Sequence, residues 1–419
     1  MNNFIFKISI IFFIIVFSFS SFSLCDDYIE DDNPNIEKEI IESATTPTEE
    51  IKFPNTNSRS CVVIDRNTNT VLYGKNENQK RKMASTTKIM TATIIIENCN
   101  LNETIEISKK AAGTGGSRLG LKAGDKVTIR DLLYGLMMRS GNDSAVALAE
   151  YAGGSIEGFA EKMNQKASDL GLNNTHFETP HGLDSDEHYT TAYELALLSN
   201  YALNNKIFAQ IVGTKEYTIT INGYPKQLSN TNELLGNLDG VYGIKTGFTN
   251  GANRCLVTAC KRNNMDIICV VLGADTKKFR MQDSVNLINY IVDNFKPVNI
   301  EKIINNNFEN WKNKYLDKII INKSYSKNFD LKIDNISNNI IPIRKDYIDL
   351  INVDINCPLY FEAPIYSNSK LGCVNFHIPD TIDFEYPIYS SYEIKRKNWN
   401  NYFIDFFKNY SSTLSNLFL

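Results

Sequence analysis

Residues 83–91 read Met83-Ala84-Ser85-Thr86-Thr87-Lys88-Ile89-Met90-Thr91, and the apolar pattern that begins there continues to Asn98. This pattern predicts a buried helix over residues 85–98. Ser85 and Lys88 are three positions apart at its start, so they share one face, with the amine one turn from the hydroxyl. The backbone amides at a helix N-terminus favour negative charge on an attacking oxygen. The stretch therefore makes Ser85 a candidate nucleophile.

Two further short patterns follow it, Ser140-Gly141-Asn142 and Lys245-Thr246-Gly247. The first falls in a loop between helices predicted over residues 128–139 and 144–151, where polar groups can project into a cleft. The second lies on an edge-strand-like segment and combines a cation, a hydroxyl and a glycine that lets a substrate backbone approach closely. Ser-x-x-Lys recurs at residues 324–327 and 367–370, but in strand-rich sequence where positions i and i+3 point to opposite faces. The interpretation of the three patterns therefore rests on their order, their spacing and the sequence around them.

Strand patterns enclose the helical region at both ends. Residues 60–65 and 71–73 form a predicted hairpin before it, and residues 255–261 and 266–272 return to strand character after it. We therefore predict one α/β (α+β) domain over residues 56–296, in which the terminal strands share a central antiparallel sheet. Beyond Pro297, short alternating strands predict a small all-β, sandwich-like domain over residues 297–390.

The N-terminal residues have the pattern of an export signal. Lys7 is the only charge among the first 25 residues, an apolar run spans residues 8–19, and small residues follow at alternate positions. This predicts a cleaved signal peptide over residues 1–25, with a retained membrane anchor or lipidation at Cys25 as alternatives. Acid-rich residues 26–55 predict a flexible linker. We therefore expect the folded part to be exported and to work at the outer face of the cytoplasmic membrane.

Aromatic and aliphatic residues near the C-terminus recur at steps of four and three, which places them on one helical face. They are Trp399, Phe403, Phe406, Tyr410, Leu414 and Leu417. The basic residues 395–397 precede them and are suited to anionic lipid. Because the stretch lacks the continuous apolar run of a membrane span, residues 391–419 predict an amphipathic helix lying on a membrane surface. Packing of this helix on the β-domain is the alternative.

Composition limits the possible functions. The net charge of −4 gives no signal for nucleic-acid binding. The chain has four histidines and no His-Glu-x-x-His pattern, which disfavours a zinc carboxypeptidase. We therefore expect no zinc site of this kind.

The sequence segments around the three patterns resemble those of the D-alanyl-D-alanine carboxypeptidases, the low-molecular-weight penicillin-binding proteins. The resemblance rests on Met83–Thr91, Gly115-Gly116-Ser117, Gly135-Leu136-Met137 leading into Ser140-Gly141-Asn142-Asp143, Thr179-Pro180-His181-Gly182-Leu183, and Gly243-Ile244-Lys245-Thr246-Gly247. It runs from about residue 60 to residue 296 and extends more weakly into the second domain, at Ala363-Pro364-Ile365 and Leu371-Gly372.

The resemblance implies both substrate and mechanism. The substrate is the D-Ala-D-Ala end of a peptidoglycan stem peptide, and β-lactams are inhibitors. Ser85 attacks the penultimate carbonyl to form an acyl-enzyme, and the terminal D-alanine leaves. A neutral Lys88 is the implied base. Ser140 relays a proton to the leaving amine, Asn142 holds the substrate amide, and the implied mechanism needs no metal and no cofactor.

The remaining implied residues bind charge. The oxyanion is expected between the backbone amides of Ser85 and Phe248. Lys245 and Thr246 are expected to face the terminal carboxylate, with Gly247 allowing close approach. Arg280 lies where the family places a further carboxylate-binding arginine. Some relatives carry histidine where this chain has Phe248, so a side-chain role at that position is lost.

Three alternatives remain from the sequence. A class A β-lactamase is disfavoured because no Glu-x-x-Leu-Asn pattern lies between Ser140 and Lys245. A D,D-endopeptidase that cuts cross-links uses the same chemistry and stays open. A non-catalytic module that senses β-lactams or binds wall is disfavoured by the intact triple signature.

Overall fold

The computed structural model describes residues 53–324, 328–334, 336, 340–379 and 382–417. The chain divides into two compact units between Asp293 and Asn294. The predicted signal peptide, residues 1–25, and all but the last residues of the predicted linker lie outside the described residues.

A five-stranded antiparallel sheet forms the centre of the first unit. The strands of this unit are β1 (Ser60–Asp65), β2 (Val71–Lys75), β3 (Thr104–Glu106), β4 (Lys126–Thr128), β5 (Glu216–Ile221), β6 (Tyr224–Ser229), β7 (Val241–Thr249), β8 (Asn253–Arg262) and β9 (Met265–Ala274). The central sheet has the order β2-β1-β9-β8-β7, and β1 pairs with β9 from Ser60↔Leu272 to Asp65↔Ile267. The predicted sharing of one antiparallel sheet by the terminal strands is confirmed, and β7 is left at the edge.

The helices of this unit include those predicted over residues 128–139 and 144–151, with small shifts of their bounds. They are α1 (Lys88–Asn98), α2 (Lys109–Ala112), α3 (Ile129–Met138), α4 (Asn142–Gly153), α5 (Ile156–Asp169), α6 (Ala192–Leu203), α7 (Lys206–Val212) and α8 (Lys277–Asn294). Side-chain caps fix several starts: Thr128 accepts from Asp131 N, and Thr191 accepts from Glu194 N. Such caps satisfy backbone donors that the first turn leaves unpaired.

Helix α1 is the central helix of the first unit. Every residue from Lys88 to Ile95 is buried, and Ile89 and Ile94 belong to the same apolar core as Leu133 of α3 and Leu148 of α4. A helix that is apolar around its circumference is stable only inside a core. The predicted helix over residues 85–98 begins differently from expectation, because Ala84–Thr87 form a 3₁₀ turn before α1.

The second unit carries the predicted strands together with a helix that was not predicted. Its elements are β10 (Phe295–Asn299), α9 (Ile300–Tyr315), β11 (Ile320–Asn322), β12 (Leu331–Ile333), β13 (Ile340–Arg344), β14 (Asn352–Asn356), β15 (Tyr360–Glu362), β16 (Lys370–Ile378), β17 (Ile382–Ser390) and α10 (Trp399–Leu417). A four-stranded antiparallel sheet has the order β12-β17-β16-β14. Ile304 and Phe308 of α9 share its core with Val374 and Phe376 of β16.

Candidate active site

The predicted nucleophile and base lie together where the 3₁₀ turn meets α1. Lys88 is fully buried, and its Nζ lies 2.8 Å from Ser85 Oγ. Lys88 Nζ also donates to Asn142 Oδ1 at 2.7 Å and to the backbone oxygen of His181 at 2.9 Å. The structure therefore brings together three of the residues that the sequence predicted. It adds the backbone carbonyl of His181, a contact that the residue types of a sequence do not reveal.

The turn that presents Ser85 is held in an unusual backbone conformation. Ala84 has a φ of 48°, in the left-handed region that costs an L-residue roughly 1–2 kcal/mol. Thr87 Oγ1 donates to Ala84 O at 2.8 Å. Gly182, with φ at 87°, packs against the same oxygen so closely that a Cβ there would lie 1.9 Å from it. The glycine therefore lets the loop after Pro180 support the turn.

Ser140 and Asn142 lie at the start of α4 with different surroundings. Ser140 is buried with φ at 58°, and its Oγ has no hydrogen-bond partner among the described residues. A buried hydroxyl without a partner, on strained backbone, is typical of a functional site. The Asn142 side chain is already engaged at both ends, because Oδ1 accepts from Lys88 and Nδ2 donates to Gly115 O at 2.7 Å. Its role in the structure is to position Lys88, in addition to any substrate contact.

Asp143 organises the loop beside the site, and the sequence interpretation gave it no role. Its buried carboxylate accepts from the backbone amides of Leu119 (2.8 Å), Gly120 (2.7 Å) and Leu121 (3.0 Å). A carboxylate in the first turn of a helix is also favoured by the helix dipole. The sequence signal for this role was the position of Asp143 directly after Ser140-Gly141-Asn142.

Strand β7 brings the third pattern against the turn of Ser85. Lys245 is buried and its Nζ donates to Thr246 O at 2.9 Å, while Thr246 Oγ1 lies 3.0 Å from Thr231 Oγ1. A Cβ on Gly247 would lie 3.1 Å from Ser85 N. We expected this glycine to admit a substrate backbone; the structure shows that it first admits the turn of Ser85.

Phe248 and Arg280 are both engaged with partners inside the protein. The guanidinium of Arg254 lies 3.8 Å from the centre of the Phe248 ring, within cation–π range. Arg280 is buried and donates to both carboxylate oxygens of Glu233, at 2.9 and 2.8 Å. Burial acts to raise the pKa of Glu233, but Arg280 and Lys277 outweigh it and hold that pKa below its ordinary value. The charge of Arg280 is therefore compensated, which disfavours the direct carboxylate contact that we expected.

The loop after Pro180 closes one side of the site. Asp184 accepts from Thr249 Oγ1 at 2.6 Å and from Gly251 N at 2.8 Å, which ties the loop to the turn between β7 and β8. Burial, with smaller effects from Lys88 and His188, lowers the pKa of His181 to about 3. His181 is therefore neutral near pH 7 and contributes its backbone oxygen. Over the described ranges, no cluster of three or more His, Cys, Asp or Glu side chains could hold a metal ion.

Comparison with known proteins agrees with this geometry. The family model described as D-alanyl-D-alanine carboxypeptidase matches residues 44–276. The chain is 32% identical over 357 residues to the D-alanyl-D-alanine carboxypeptidase DacF of Bacillus subtilis, covering 84% of this chain and 88% of DacF. The chain belongs to the D-alanyl-D-alanine carboxypeptidase family. It is a serine-type peptidase of cell-wall synthesis.

Solved structures show how far the likeness extends. The D-alanyl-D-alanine carboxypeptidase DacD from Francisella tularensis matches with a TM-score of 0.64 and 26% identity, over 85% of this chain and 98% of that one. The Streptomyces K15 DD-transpeptidase matches with a TM-score of 0.55 and 35% identity, over 57% of this chain and 98% of its own. The likeness to DacD therefore covers more of this carboxypeptidase than the likeness to the K15 enzyme does.

Gly182→Ala tests whether the loop after Pro180 supports the turn of Ser85. The added Cβ would overlap Ala84 O, so we expect penicillin acylation to fall by at least about 10², the scale for losing one oxyanion donor. Gly171→Ala is the matched control, because Gly171 also has a positive φ (71°) but nothing within 4 Å of the added Cβ. The control should lose about 1–2 kcal/mol of unfolding free energy and acylate normally. Equal acylation by the two variants would contradict the prediction.

Proposed function

We propose that Ser85 is the acylated nucleophile of this carboxypeptidase and that the enzyme removes the terminal D-alanine from peptidoglycan stem pentapeptides. The observation that supports this is the 2.8 Å approach of a fully buried lysine nitrogen to Ser85 Oγ. β-Lactams would acylate the same oxygen, because they present a reactive carbonyl to the same cleft.

The hydrogen bonds of Lys88 fit a general base. A neutral amine has two N–H donors and one lone pair. The oxygens of Asn142 and His181 can only accept, so they take the two N–H groups. The lone pair then faces Ser85 Oγ and can receive its proton during attack. Burial of the amine favours the neutral form.

Ser140 is suited to the second proton transfer. Its buried hydroxyl is unengaged within the described part of the chain, so it can both accept and donate when substrate is present. We assign it the relay of a proton to the leaving D-alanine amine. Ser85, Lys88 and Ser140 then carry the proton transfers of attack and collapse, and water completes deacylation.

We assign the binding of negative charge on the substrate to groups along edge strand β7 and the adjoining turn of Ser85. The amides of Ser85 and Phe248 would bind the oxyanion, which the close approach of Gly247 to Ser85 N supports. Lys245 and Thr246 would bind the terminal carboxylate, with Thr231 orienting the Thr246 hydroxyl. Because Glu233 already pairs with Arg280, we assign Arg280 a supporting role and no direct contact.

Two related activities would use the same acyl-enzyme. A β-lactamase needs a carboxylate to activate the deacylating water. Glu194, one of the acids between Ser140 and Lys245, is held by Asn174 N and the Thr175 hydroxyl, which gives it a structural role. A D,D-endopeptidase differs only in the substrate that enters the cleft, so release of D-alanine from a pentapeptide, compared with cleavage of a cross-linked dimer, separates the two.

Ser85→Ala tests the nucleophile. Release of D-alanine and covalent labelling by penicillin should both disappear, because both need the same oxygen. Intact-mass and peptide-level mass spectrometry measure the label, with Ser367→Ala as control, since Ser367 begins the competing Ser-x-x-Lys pair. A label that persists in Ser85→Ala, or that maps to Ser367, would show that the assignment is wrong.

Lys88→Arg tests the base. Arginine keeps the charge but cannot supply a neutral amine near pH 7. Acylation should fall by about 10² or more, the scale for losing a general base. Lys122→Arg, at an exposed position, is the control, and urea unfolding of both variants separates misfolding from lost chemistry. Acylation near the wild-type rate in a folded Lys88→Arg variant would reject the role.

We also propose that α10 attaches the exported enzyme to a membrane surface. Its aromatic side chains are exposed, including Trp399 (81%), Phe403 (58%) and Phe406 (63%). The basic segment is less available than the sequence suggested, because Lys397 Nζ pairs with Asp405 at 2.7 Å and Arg396 lies 4.0 Å from Glu362. Apolar insertion is therefore the main proposed attraction. Within the described residues, no helix has the length and hydrophobicity needed to span a bilayer.

Truncation after Asn398 tests this attachment. Ile394 is buried and pairs with Ile365, and Lys397 N donates to Lys323 O, so ending the chain at residue 398 preserves these contacts. The truncated enzyme should leave the fraction that floats with liposomes and keep full activity on soluble pentapeptide. Continued flotation of the truncated enzyme, without its signal peptide, would contradict the proposal.

A further inference from the structure

His188 is a buried histidine between the loop of Gly182 and the turn of Ser85. The residue is 2% exposed. Nδ1 accepts from Glu178 N at 3.0 Å, and Nε2 lies 2.8 Å from Thr87 Oγ1. The Phe177 ring packs edge-on against it, with 5.8 Å between centroids. The ring is therefore fixed on three sides, and one of its polar contacts is a residue of the turn of Ser85.

These contacts set the direction of a chain of hydrogen bonds. Because Nδ1 accepts a backbone N–H, the neutral ring carries its proton on Nε2 and donates it to Thr87 Oγ1. Thr87 then donates its own proton to Ala84 O, at 2.8 Å. Burial lowers the pKa of His188 to about 4, so the ring remains neutral and the direction is kept near pH 7.

The last hydrogen bond of this series, from Thr87 to Ala84 O, affects the proposed oxyanion site. Ala84 O and Ser85 N belong to one peptide group, which is planar, so the direction of the carbonyl fixes the direction of the amide N–H. Ala84 has positive φ, a conformation that an alanine adopts only when its surroundings hold it. Within the 3₁₀ turn, the Thr87 hydroxyl donates to this carbonyl and the backbone of Gly182 packs against it.

We propose that His188 is a positioning residue that fixes the direction of the Ser85 amide through Thr87 and the Ala84 carbonyl. The inference rests on the proposed function, in which the Ser85 amide binds the oxyanion. His188 does not touch the substrate. It acts on the transition state by aligning one of the two donors, so its loss lowers kcat and acylation more than substrate binding.

Two substitutions of His188 separate this role from simple packing. Asparagine places its amide near the position of Nδ1 and keeps the contact with Glu178 N. Glutamine places its amide near Nε2 and can still donate to Thr87. We expect His188→Asn to lower kcat and the penicillin acylation rate by about tenfold to 10², with KM nearly unchanged, because a misaligned donor loses part of the 10²–10³ that an oxyanion donor supplies. His188→Gln should restore most of the rate.

Thr87 provides an independent test of the same chain. Thr87→Val removes the hydroxyl with little change of shape, and Thr87→Ser keeps it. Thr87→Val should match the loss in His188→Asn, Thr87→Ser should not, and the double variant Thr87→Val/His188→Asn should lose no more than either single variant. The control is His176→Gln, a partly exposed histidine whose ring contacts Glu187 O and which should acylate normally.

The acyl-enzyme also gives a spectroscopic readout. With a ¹³C label on the ester carbonyl, the infrared stretch should move to higher frequency in His188→Asn, because its hydrogen bond to the Ser85 amide is weaker. An unchanged frequency with wild-type acylation in folded His188→Asn would overturn the inference. Equal losses in His188→Asn and His188→Gln, matched by equal losses of unfolding free energy, would also overturn it, by showing that the ring serves only packing. If wild-type label does not map to Ser85, the site assignment itself fails, and this inference with it.

Discussion

The contact between Lys88 Nζ and Ser85 Oγ is the interaction on which the rest of the first unit depends. An amine inside a core is costly unless its hydrogen bonds are satisfied. Asn142 and the His181 backbone satisfy two of them, and each must be delivered from a different part of the chain. The start of α4 and the loop after Pro180 therefore converge on the N-terminus of α1. The central position of α1 follows, because Lys88 can be surrounded in this way only if its helix is enclosed.

Holding these groups together requires backbone conformations that are unfavourable elsewhere. Ala84 and Ser140 both have positive φ without being glycine. Gly182 and Gly247 stand where a side chain would displace the turn of Ser85. Apolar packing of α1 and the central sheet supplies the stability that offsets this local strain. Because the strained residues and the glycines occupy single positions, short motifs rather than long stretches identify the site in the sequence.

The sequence predicted the enzyme class and the proximity of Ser85 and Lys88 better than it predicted the contacts that support them. Ser85 and Lys88 were predictable because helical spacing places positions three apart on one face. The His181 carbonyl was not, because every residue carries one and only the fold decides which is used. The pairing of Arg280 with Glu233 was equally hidden, since the two are far apart in sequence. Helix α9 was not predicted, although Ile300, Ile304 and Phe308 recur at steps of four, because the short alternating strands in the rest of the region after Pro297 favour an all-β interpretation.

The two buried histidines of the loop after Pro180 have a consequence for acid tolerance. Burial depresses their pKa values, to about 3 for His181 and about 4 for His188, below the ordinary value of 6.5. The unfolded chain therefore binds protons at these residues at a pH where the folded chain does not. Their contribution to stability is fully present above about pH 6.5 and is lost as the pH falls through the folded pKa values. Acid thus acts at these histidines by favouring release of the loop that supports Lys88 and Ser85, and not by titrating a catalytic imidazole.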